Sequence, residues 1–522
     1  MLIEIHVLQN LSPSNPNRDD TGAPKSAYFG GQLRGRISSQ CLKRSIRLFE
    51  PFQTELQNHL GERTKLFPER VREQLKQTAI PTDEYDRIVL VCTRIGKAEG
   101  KESSKKEKEK ADGRKRTPQL IYLGSGEVEE YVARLGRLRT EMPVAYKYYL
   151  DPKAGFQEVM TAAVEASELD DKSTRESLVK NAWVIAKLRM DRLAKFDEGQ
   201  EAAALPERLG AEPGDADAAW IVERVELLAS LEDSASKAIL KELLGKVTAK
   251  EKPQFGDAAP EKPGDFNKFK RQLDEPLQNL SVDVALFGRM TTEAAAFEDV
   301  EACLEVAHAL STNAMVREVD YFTAMDDDPD QKGPGAAHIG ENQFTSNCYY
   351  KYYSLDWNAF VGHLSGGKAA TAKSKGEAES LARLAVKELI RAIIMSVPSG
   401  KKKGHANNNL PDAVLVEVKA RNIPTNYMNA FLTPTKFAAD SNPMDDSVKK
   451  LGQYAGQIAK SYSVKAERFW HDQDGRKLQY APNPNDGVTE AKAPKPEIVA
   501  PCLESIDALI GAVLKAIPKV VA

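Results

Sequence analysis

The chain has 522 residues, of which 41% are hydrophobic and 29% charged, and its formal net charge is −3. This composition is typical of a globular protein of about three to four domain-sized units. No apolar run is long enough to span a bilayer, and Glu4 and His6 interrupt the first apolar segment, so neither a membrane protein nor a signal peptide is expected. The five cysteines form no CxxC pair, which argues against a disulfide framework or a zinc site and favours a reducing cytoplasm.

The first segment, residues 2–8, alternates apolar and polar side chains and predicts a strand. A basic segment follows at residues 17–47. It holds seven basic and two acidic side chains and therefore a local charge of +5, against the slightly negative chain. Clustering of this kind is a better indicator of nucleic-acid binding than net charge.

The end of the basic segment predicts a helix whose first N–H groups are capped by Ser38 or Ser39. Helical spacing places four polar side chains on one stripe: Gln40, Lys43, Arg44 and Arg47. Leu42 and Ile46 fall on the opposite side and can face a core. A positive helix end beside a cationic stripe is suited to phosphate binding. The alternative is a solvated basic face.

The rest of the chain predicts a mixture of strands and helices. We expect strands near 88–92 or 119–123, and near 320–325, 336–340, 348–353 and 413–418. Residues 281–290 should lead into a helix ending near 309, and further helices are expected at 377–396, 447–462 and 503–517. Residues 97–280 predict a helical insertion that contains a charge run at 101–116 and a Pro/Gly-rich linker at 252–265.

No motif predicts catalysis, a metal or a cofactor. Residues 362–368 have the glycine and lysine spacing of a P-loop, but Ala369 stands where a hydroxyl must reach magnesium. The acidic run at 326–330 lacks the EF-hand glycine and glutamate. The histidines show no metal-ligand spacing, and we interpret His308 and His338 as structural.

Several short motifs, taken in order, resemble one known family. They are Asn17-Arg18-Asp19-Asp20, Phe29-Gly30-Gly31, Arg36-Ile37-Ser38-Ser39-Gln40 with Leu42-Lys43-Arg44, Val282-Asp283-Val284-Ala285-Leu286, Gly288-Arg289-Met290, Ala307-His308-Ala309, Asp320-Tyr321-Phe322-Thr323-Ala324 and Ala337-His338-Ile339-Gly340. They resemble the CasC family, the repeated backbone subunit of the type I-E CRISPR surveillance complex Cascade. The resemblance covers residues 1–52 and 281–418 well, and departs from the family over 97–280.

The resemblance implies an α+β fold with an RRM-like (ferredoxin-like) palm, a helical fingers insertion and a β-hairpin thumb. The expected boundaries are palm 1–96, fingers 97–280, palm 281–310, thumb 311–345, and palm with C-terminal helices 346–522. Several copies would polymerise along one CRISPR RNA in the cytoplasm, together with other Cascade subunits. They would present its bases to target DNA, without enzymatic activity. An RRM-fold endonuclease that processes CRISPR RNA and a generic RNA-binding protein are the alternatives.

The resemblance and the charge pattern together nominate the RNA-binding residues. They are Arg18, Lys25, Arg36, Ser38, Ser39, Gln40, Lys43, Arg44, Arg47, Arg289, Met290, Tyr321, Phe322, Thr323, Lys401, Lys402 and Lys403. The cations would contact phosphates. The resemblance implies that the residues at 321–323 displace a base and that Met290 wedges beside one. The glycines on either side of Lys401–Lys403 indicate a mobile loop.

Overall fold

The computed structural model describes residues 1–95, 113–124, 126–150, 265–275, 277, 280–290, 297, 299–324, 338–366, 372–436, 442–481 and 495–518. The chain divides into two compact units: one comprises residues 1–62, 278–290 and 299–522, the other 63–277 and 291–298. Both expected helical blocks of the insertion, most of its linker, most of its charge run and the acidic loop at 326–330 lie outside the described residues.

The strands, in chain order, are β1 Leu2–Ser14, β2 Ser26–Phe29, β3 Gln32–Ile37, β4 Glu62–Thr64, β5 Ile121–Leu123, β6 Leu304–Val306, β7 Ala309–Ser311, β8 Glu318–Ala324, β9 His338–Asp356, β10 Ala413–Lys419, β11 Glu467–Asp472, β12 Leu478–Tyr480 and β13 Glu497–Ala500. The α-helices are α1 Ser39–Arg47, α2 Glu50–Glu55, α3 Phe67–Leu75, α4 Tyr85–Cys92, α5 Glu127–Glu141, α6 Pro143–Leu150, α7 Phe266–Leu273, α8 Val282–Phe287, α9 Trp357–Leu364, α10 Ala372–Met395, α11 Lys402–His405, α12 Pro443–Tyr462 and α13 Ile506–Ala516. The mixture of helices with antiparallel sheets makes the fold α+β, as predicted.

A nine-stranded sheet forms the centre of the first unit. Its order is β11-β10-β1-β9-β7-β3-β2, and β6 and β8 also pair with β9. The pairs of β1 with β9 and β10, and of β7 with β9, are antiparallel. Four of these strands and two helices follow one another along the chain, with other elements between them, in the order β1, α1, β7, β9, α10, β10. These four central strands and two helices therefore follow a β-α-β-β-α-β order along the sequence, while the strands lie in the order β10-β1-β9-β7 in the sheet.

Both helices pack on one face of this sheet. Ile3, Ile5 and Val7 of β1 join one hydrophobic core with Leu42 of α1 and Leu389 of α10. The period of two in β1 sends these three side chains to the same face, which is why the alternation in residues 2–8 correctly predicted a strand.

The opposite face of the sheet is covered by α12 and a 3₁₀ turn at Tyr427–Phe431. Beneath that turn the sheet carries buried ionic groups as well as apolar ones. Lys419 forms an ion pair with Glu4, and Glu417 lies 2.5 Å from Arg468. Glu4 of β1 lies opposite Glu417 of β10, and Glu417 lies opposite Arg468 of β11, so these charges share one face of three neighbouring strands.

Two predicted elements have a different structure. The expected strand at 88–92 is part of α4, because its buried side chains, Ile88, Val89, Val91 and Cys92, recur with helical rather than alternating spacing. The expected helix reaching residue 309 ends at Phe287, and β6 and β7 follow it. The strand predicted at 119–123 exists as β5, but it pairs with β4 in a separate two-stranded sheet and not with the central sheet.

Candidate nucleic-acid interface

The start of α1 is closed by side chains from distant parts of the chain. Ser38 is the N-cap, as predicted, and its hydroxyl accepts the Cys41 N–H at 3.4 Å. The Ser38 N–H donates to the Asn17 side-chain oxygen at 2.8 Å, and the Ser39 N–H donates to His308 Nδ1 at 3.1 Å. The helix end therefore uses part of its hydrogen-bonding capacity within the protein.

His308 was missed as a site residue by the sequence interpretation. Backbone bonds from Lys25 to Asn17 and from Arg36 to Lys25, each 2.9 Å, bring both cations to this end of the helix. Burial lowers the pKa of His308, and the positive charges of Arg36 and Lys25 lower it further. The imidazole accepts at Nδ1, so in its neutral form the proton resides on Nε2. Only the motif Ala307-His308-Ala309 pointed to this position.

Arg34, counted in the local charge of +5, is a structural residue. Its guanidinium is fully buried and donates to four backbone carbonyls, those of Ser311, Thr312, Phe431 and Leu432, at 2.8–3.1 Å. It ties β3 to the segment after β7 and to the 3₁₀ turn. Its charge is therefore not presented at the surface.

Two cations of the predicted stripe also have partners within the protein. Arg47 forms an ion pair with the buried Asp283 at 2.9 Å and donates to the Gly61 carbonyl at 3.2 Å. Lys43 reaches the Phe287 carbonyl at the C-terminus of α8, at 3.5 Å. These bonds attach the stripe to α8, which lowers the positive charge that α1 presents.

The remaining cations around the helix are differently placed. Arg18, Lys25, Arg36 and Arg44 have no ion pair or side-chain hydrogen bond within the described part of the chain. Arg18 and Arg44 are exposed, as is Gln40, while Lys25 and Arg36 are half-buried. The structure thus brings Lys25, Arg36 and the two serines together, with Arg44 one turn further along α1.

The lysine loop packs against the segment that leads into this site. A Cβ at Gly400 would lie 2.3 Å from the Pro16 carbonyl oxygen, so glycine is needed for close packing. Lys401 donates to the Asn342 side-chain oxygen, and residues 402–405 form the short helix α11. These contacts attach the beginning of the loop to Pro16 and Asn342. Lys402 and Lys403 have no ion pair within the described residues.

The aromatic candidates fall into two classes. β8 pairs with the first part of β9, and Phe322 lies opposite Gly340. A Cβ at Gly340 would come within 2.6 Å of the Phe322 ring, so the ring covers the glycine. Tyr321 is 62% exposed, compared with 37% for Phe322. Thr323 is also exposed.

The two candidate residues at the turn, Arg289 and Met290, also differ in solvent exposure. Arg289 is 5% exposed, and its backbone forms an isolated bridge with Val300. Met290 is 87% exposed. Of this pair, only the methionine is presented to solvent.

This difference between Tyr321 and Phe322 gives a testable pair of variants. Phe322→Ala should expose the face of Gly340 and increase hydrogen exchange of the β8 amides, because the cross-strand contact is lost. Tyr321→Ala should leave that exchange unchanged, because its ring packs on little. Equal exchange in the two variants would show that Phe322 does not stabilise the ribbon.

No group of three or more His, Cys, Asp or Glu side chains in the described residues could hold a metal ion. Cys303 lies 3.2 Å from His363 Nδ1, but burial raises the pKa of its thiol to about 12. A protonated thiol is a poor nucleophile. Among the helices that the structure describes, none is both long and apolar enough to cross a membrane.

Comparison with known proteins identifies the family. No curated protein matches the sequence. One solved structure, described as "CRISPR RNA-guided surveillance complex, pre-nicking", is similar over 99% of this chain and 100% of that chain, with 22% identity and a TM-score of 0.57. Another, described as "CRISPR RNA-guided surveillance complex", covers 99% of both chains with 18% identity and a TM-score of 0.44. The first shows a shared fold. The family described as "CT1975-like protein" matches residues 3–486, and the chain therefore belongs to that family.

Proposed function

We propose that the chain is a CRISPR RNA-binding backbone subunit of a type I-E-like Cascade complex. The observation that carries the proposal is a group of cations without counter-ions around α1: Lys25 and Arg36 at its start and Arg44 further along it, with Arg18 nearby. The motif resemblance to the CasC family supports it. So does the shared fold with a chain of a structure described as an RNA-guided surveillance complex.

An RRM-like palm is part of the proposal. The strand order β10-β1-β9-β7, with α1 and α10 on one face, corresponds to the 4-1-3-2 order of a βαββαβ unit and supports it. The other face of this sheet is covered by α12 and the 3₁₀ turn. RNA would therefore bind at the end of α1 and not across the sheet.

In this proposal the protein contacts RNA through its backbone. Lys25, Arg36 and Arg44 attract phosphates, and the Ser39 hydroxyl and the Gln40 amide add hydrogen bonds that do not depend on base identity. The bases are left to pair with target DNA, which supplies sequence specificity. The exposed Tyr321 and Met290 would contact bases. Several copies along one RNA, other Cascade subunits and a cytoplasmic location complete the proposal.

The central test removes the three cations together. Lys25→Ala/Arg36→Ala/Arg44→Ala should weaken binding of single-stranded RNA uniformly across sequences. It should also reduce the slope of log affinity against log salt by about 2, since each phosphate contact on a single strand contributes about 0.7. The matched control removes three exposed lysines far along the chain, Lys449, Lys460 and Lys465. Equal affinity and equal salt slopes in the two triple variants would refute the phosphate site.

We also propose that the subunit binds RNA without cleaving it. His308 is the imidazole at the site, and its Nδ1 is occupied by the Ser39 N–H. General acid–base cleavage of RNA needs a proton acceptor and a proton donor positioned at one phosphate. CRISPR repeat RNA incubated with the purified chain should remain intact. Specific cleavage that His308→Ala abolishes would favour the processing endonuclease instead.

A further inference from the structure

Lys351 is a buried lysine on the face of the sheet that α1 covers. It lies on β9 opposite Val7 of β1, and its side chain is 1% exposed. Its neighbours on the same face of β9, Tyr349 and Tyr353, belong to the core that contains Leu42 of α1. The Lys351 side chain therefore extends from the part of the sheet that lies beneath α1.

This lysine has no counter-ion. Within the described residues Lys351 forms neither an ion pair nor a hydrogen bond. Lys419, on β10 of the same sheet, is 2% exposed and equally buried, but it forms an ion pair with Glu4 and lies 3.6 Å from Glu417. One sheet thus holds two buried lysines, of which one is neutralised and the other is not. An uncompensated buried charge is strongly unfavourable.

The groups that face Lys351 supply no negative charge. Cys41, in the first turn of α1, is the titratable group that interacts electrostatically with Lys351. Burial raises the pKa of the Cys41 thiol. Burial also raises the pKa values of Tyr349 and Tyr353, so all three groups are neutral at pH 7. Lys25 and Arg44 act on Cys41 together with Lys351. Cations from the segment before β2, from α1 and from β9 therefore all interact electrostatically with Cys41 in the first turn of α1.

We propose that Lys351 is the buried cation of an oxyanion site at the first turn of α1, and that a bound phosphate group is its missing counter-ion. The inference deepens the proposed function and rests on it for the identity of the ligand, an RNA phosphodiester. Direct contact is not required, because charges interact strongly across the low-dielectric interior between β9 and α1. Lys25, Arg36 and Arg44 hold the phosphate from the solvent side, and Lys351 attracts it from below.

The arrangement makes anion binding depend on protonation. Burial lowers the pKa of Lys351 to about 8 in the free protein. A phosphate close to the ammonium favours its charged form and raises that pKa. Binding above pH 8 therefore takes up a proton, and affinity decreases as pH rises from 8 toward 10.

The test compares two lysine-to-methionine variants. Lys351→Met should raise the melting temperature, because it removes a buried charge without a partner. It should also weaken binding of a single-stranded oligoribonucleotide about tenfold at pH 7 and flatten the decrease in affinity between pH 8 and 9.5. Lys419→Met should lower the melting temperature, because it removes the ion-pair partner of the buried Glu4 and one of the cations beside Glu417. Its RNA affinity, measured well below that temperature, should match that of the wild type.

Unchanged RNA affinity and an unchanged pH profile in Lys351→Met would overturn this inference while leaving the proposed function intact. A second measurement, the rise in melting temperature caused by inorganic phosphate, separates the remaining outcomes. If the wild type does not bind RNA but phosphate stabilises it more than Lys351→Met, the oxyanion site stands and the proposed function fails. If the wild type responds to neither RNA nor phosphate, both are wrong.

Discussion

Arg34→Met is expected to destabilise the first unit by roughly 4 kcal/mol. Four carbonyls, those of Ser311, Thr312, Phe431 and Leu432, lose a charged donor. Each such bond contributes about 1.5–3 kcal/mol, and relief of the desolvated guanidinium offsets part of the sum. Burial lowers the pKa of Arg34, which indicates that this desolvation is appreciable. The midpoint of urea unfolding, followed by tryptophan fluorescence, measures the effect.

Arg44→Met is the matched control, since it removes the same charge from the same segment. Its side chain is exposed and unpaired within the described residues, so the unfolding midpoint should not move. RNA affinity should show the opposite pattern. At temperatures where both variants are folded, Arg44→Met should bind RNA more weakly, whereas Arg34→Met should not. If Arg34→Met unfolds at the wild-type urea concentration, its four hydrogen bonds do not hold β3 in place.

The second large effect is expected at Glu417. This carboxylate is fully buried and accepts from Arg468 at 2.5 Å and from the Tyr427 hydroxyl at 2.9 Å. Burial alone would raise its pKa. Interaction with His6, whose Nε2 lies 3.7 Å from the carboxylate, and the charges of Arg468 and Lys419 outweigh burial and hold the pKa well below the ordinary 4.5. Glu417→Gln should cost about 3–5 kcal/mol at pH 7, because it leaves the largely buried Arg468 without its carboxylate partner.

The sign of the pH dependence follows from the lowered pKa. A carboxyl group with a folded-state pKa below its unfolded value stabilises the fold fully above the unfolded value, here 4.5. That contribution is lost as pH falls below 4.5. The difference between wild type and Glu417→Gln should therefore be largest near pH 7 and shrink between pH 4.5 and 3. A difference that stays constant over this range would mean that Glu417 is not ionised in the native state.

The sequence could predict local structure but not the partners that distant segments supply. The alternation of residues 2–8 and the serine before α1 are local signals, and both predicted the observed elements. Arg34 and Arg44 look alike in sequence. They differ because the acceptors of Arg34 lie 277 to 398 residues further along the chain. The same reason hid Asp283 as the partner of Arg47, 236 residues away.

The misplaced strand has another origin. Residues 88–92 form a short apolar run, and such a run is equally compatible with a buried strand and a buried helix. The helix α4 packs in the core of the second unit, with Phe67 and Tyr131 among its neighbours. Tertiary packing decided the outcome, and no capping residue marked it: Glu84 precedes the helix without a side-chain cap.

The continuity of β9 has a geometric consequence. This single strand of 19 residues pairs with β8 at its beginning and with β1 over the rest of its length. At about 3.3 Å per residue it spans roughly 60 Å. Its length therefore fixes the distance between Tyr321 and the part of the sheet that lies beneath α1. Inserting two residues would lengthen that interval by about 7 Å and keep each side chain on its face, whereas inserting one would also turn the ribbon over. A change of spacing in a step of two residues therefore keeps every side chain of the strand on its face.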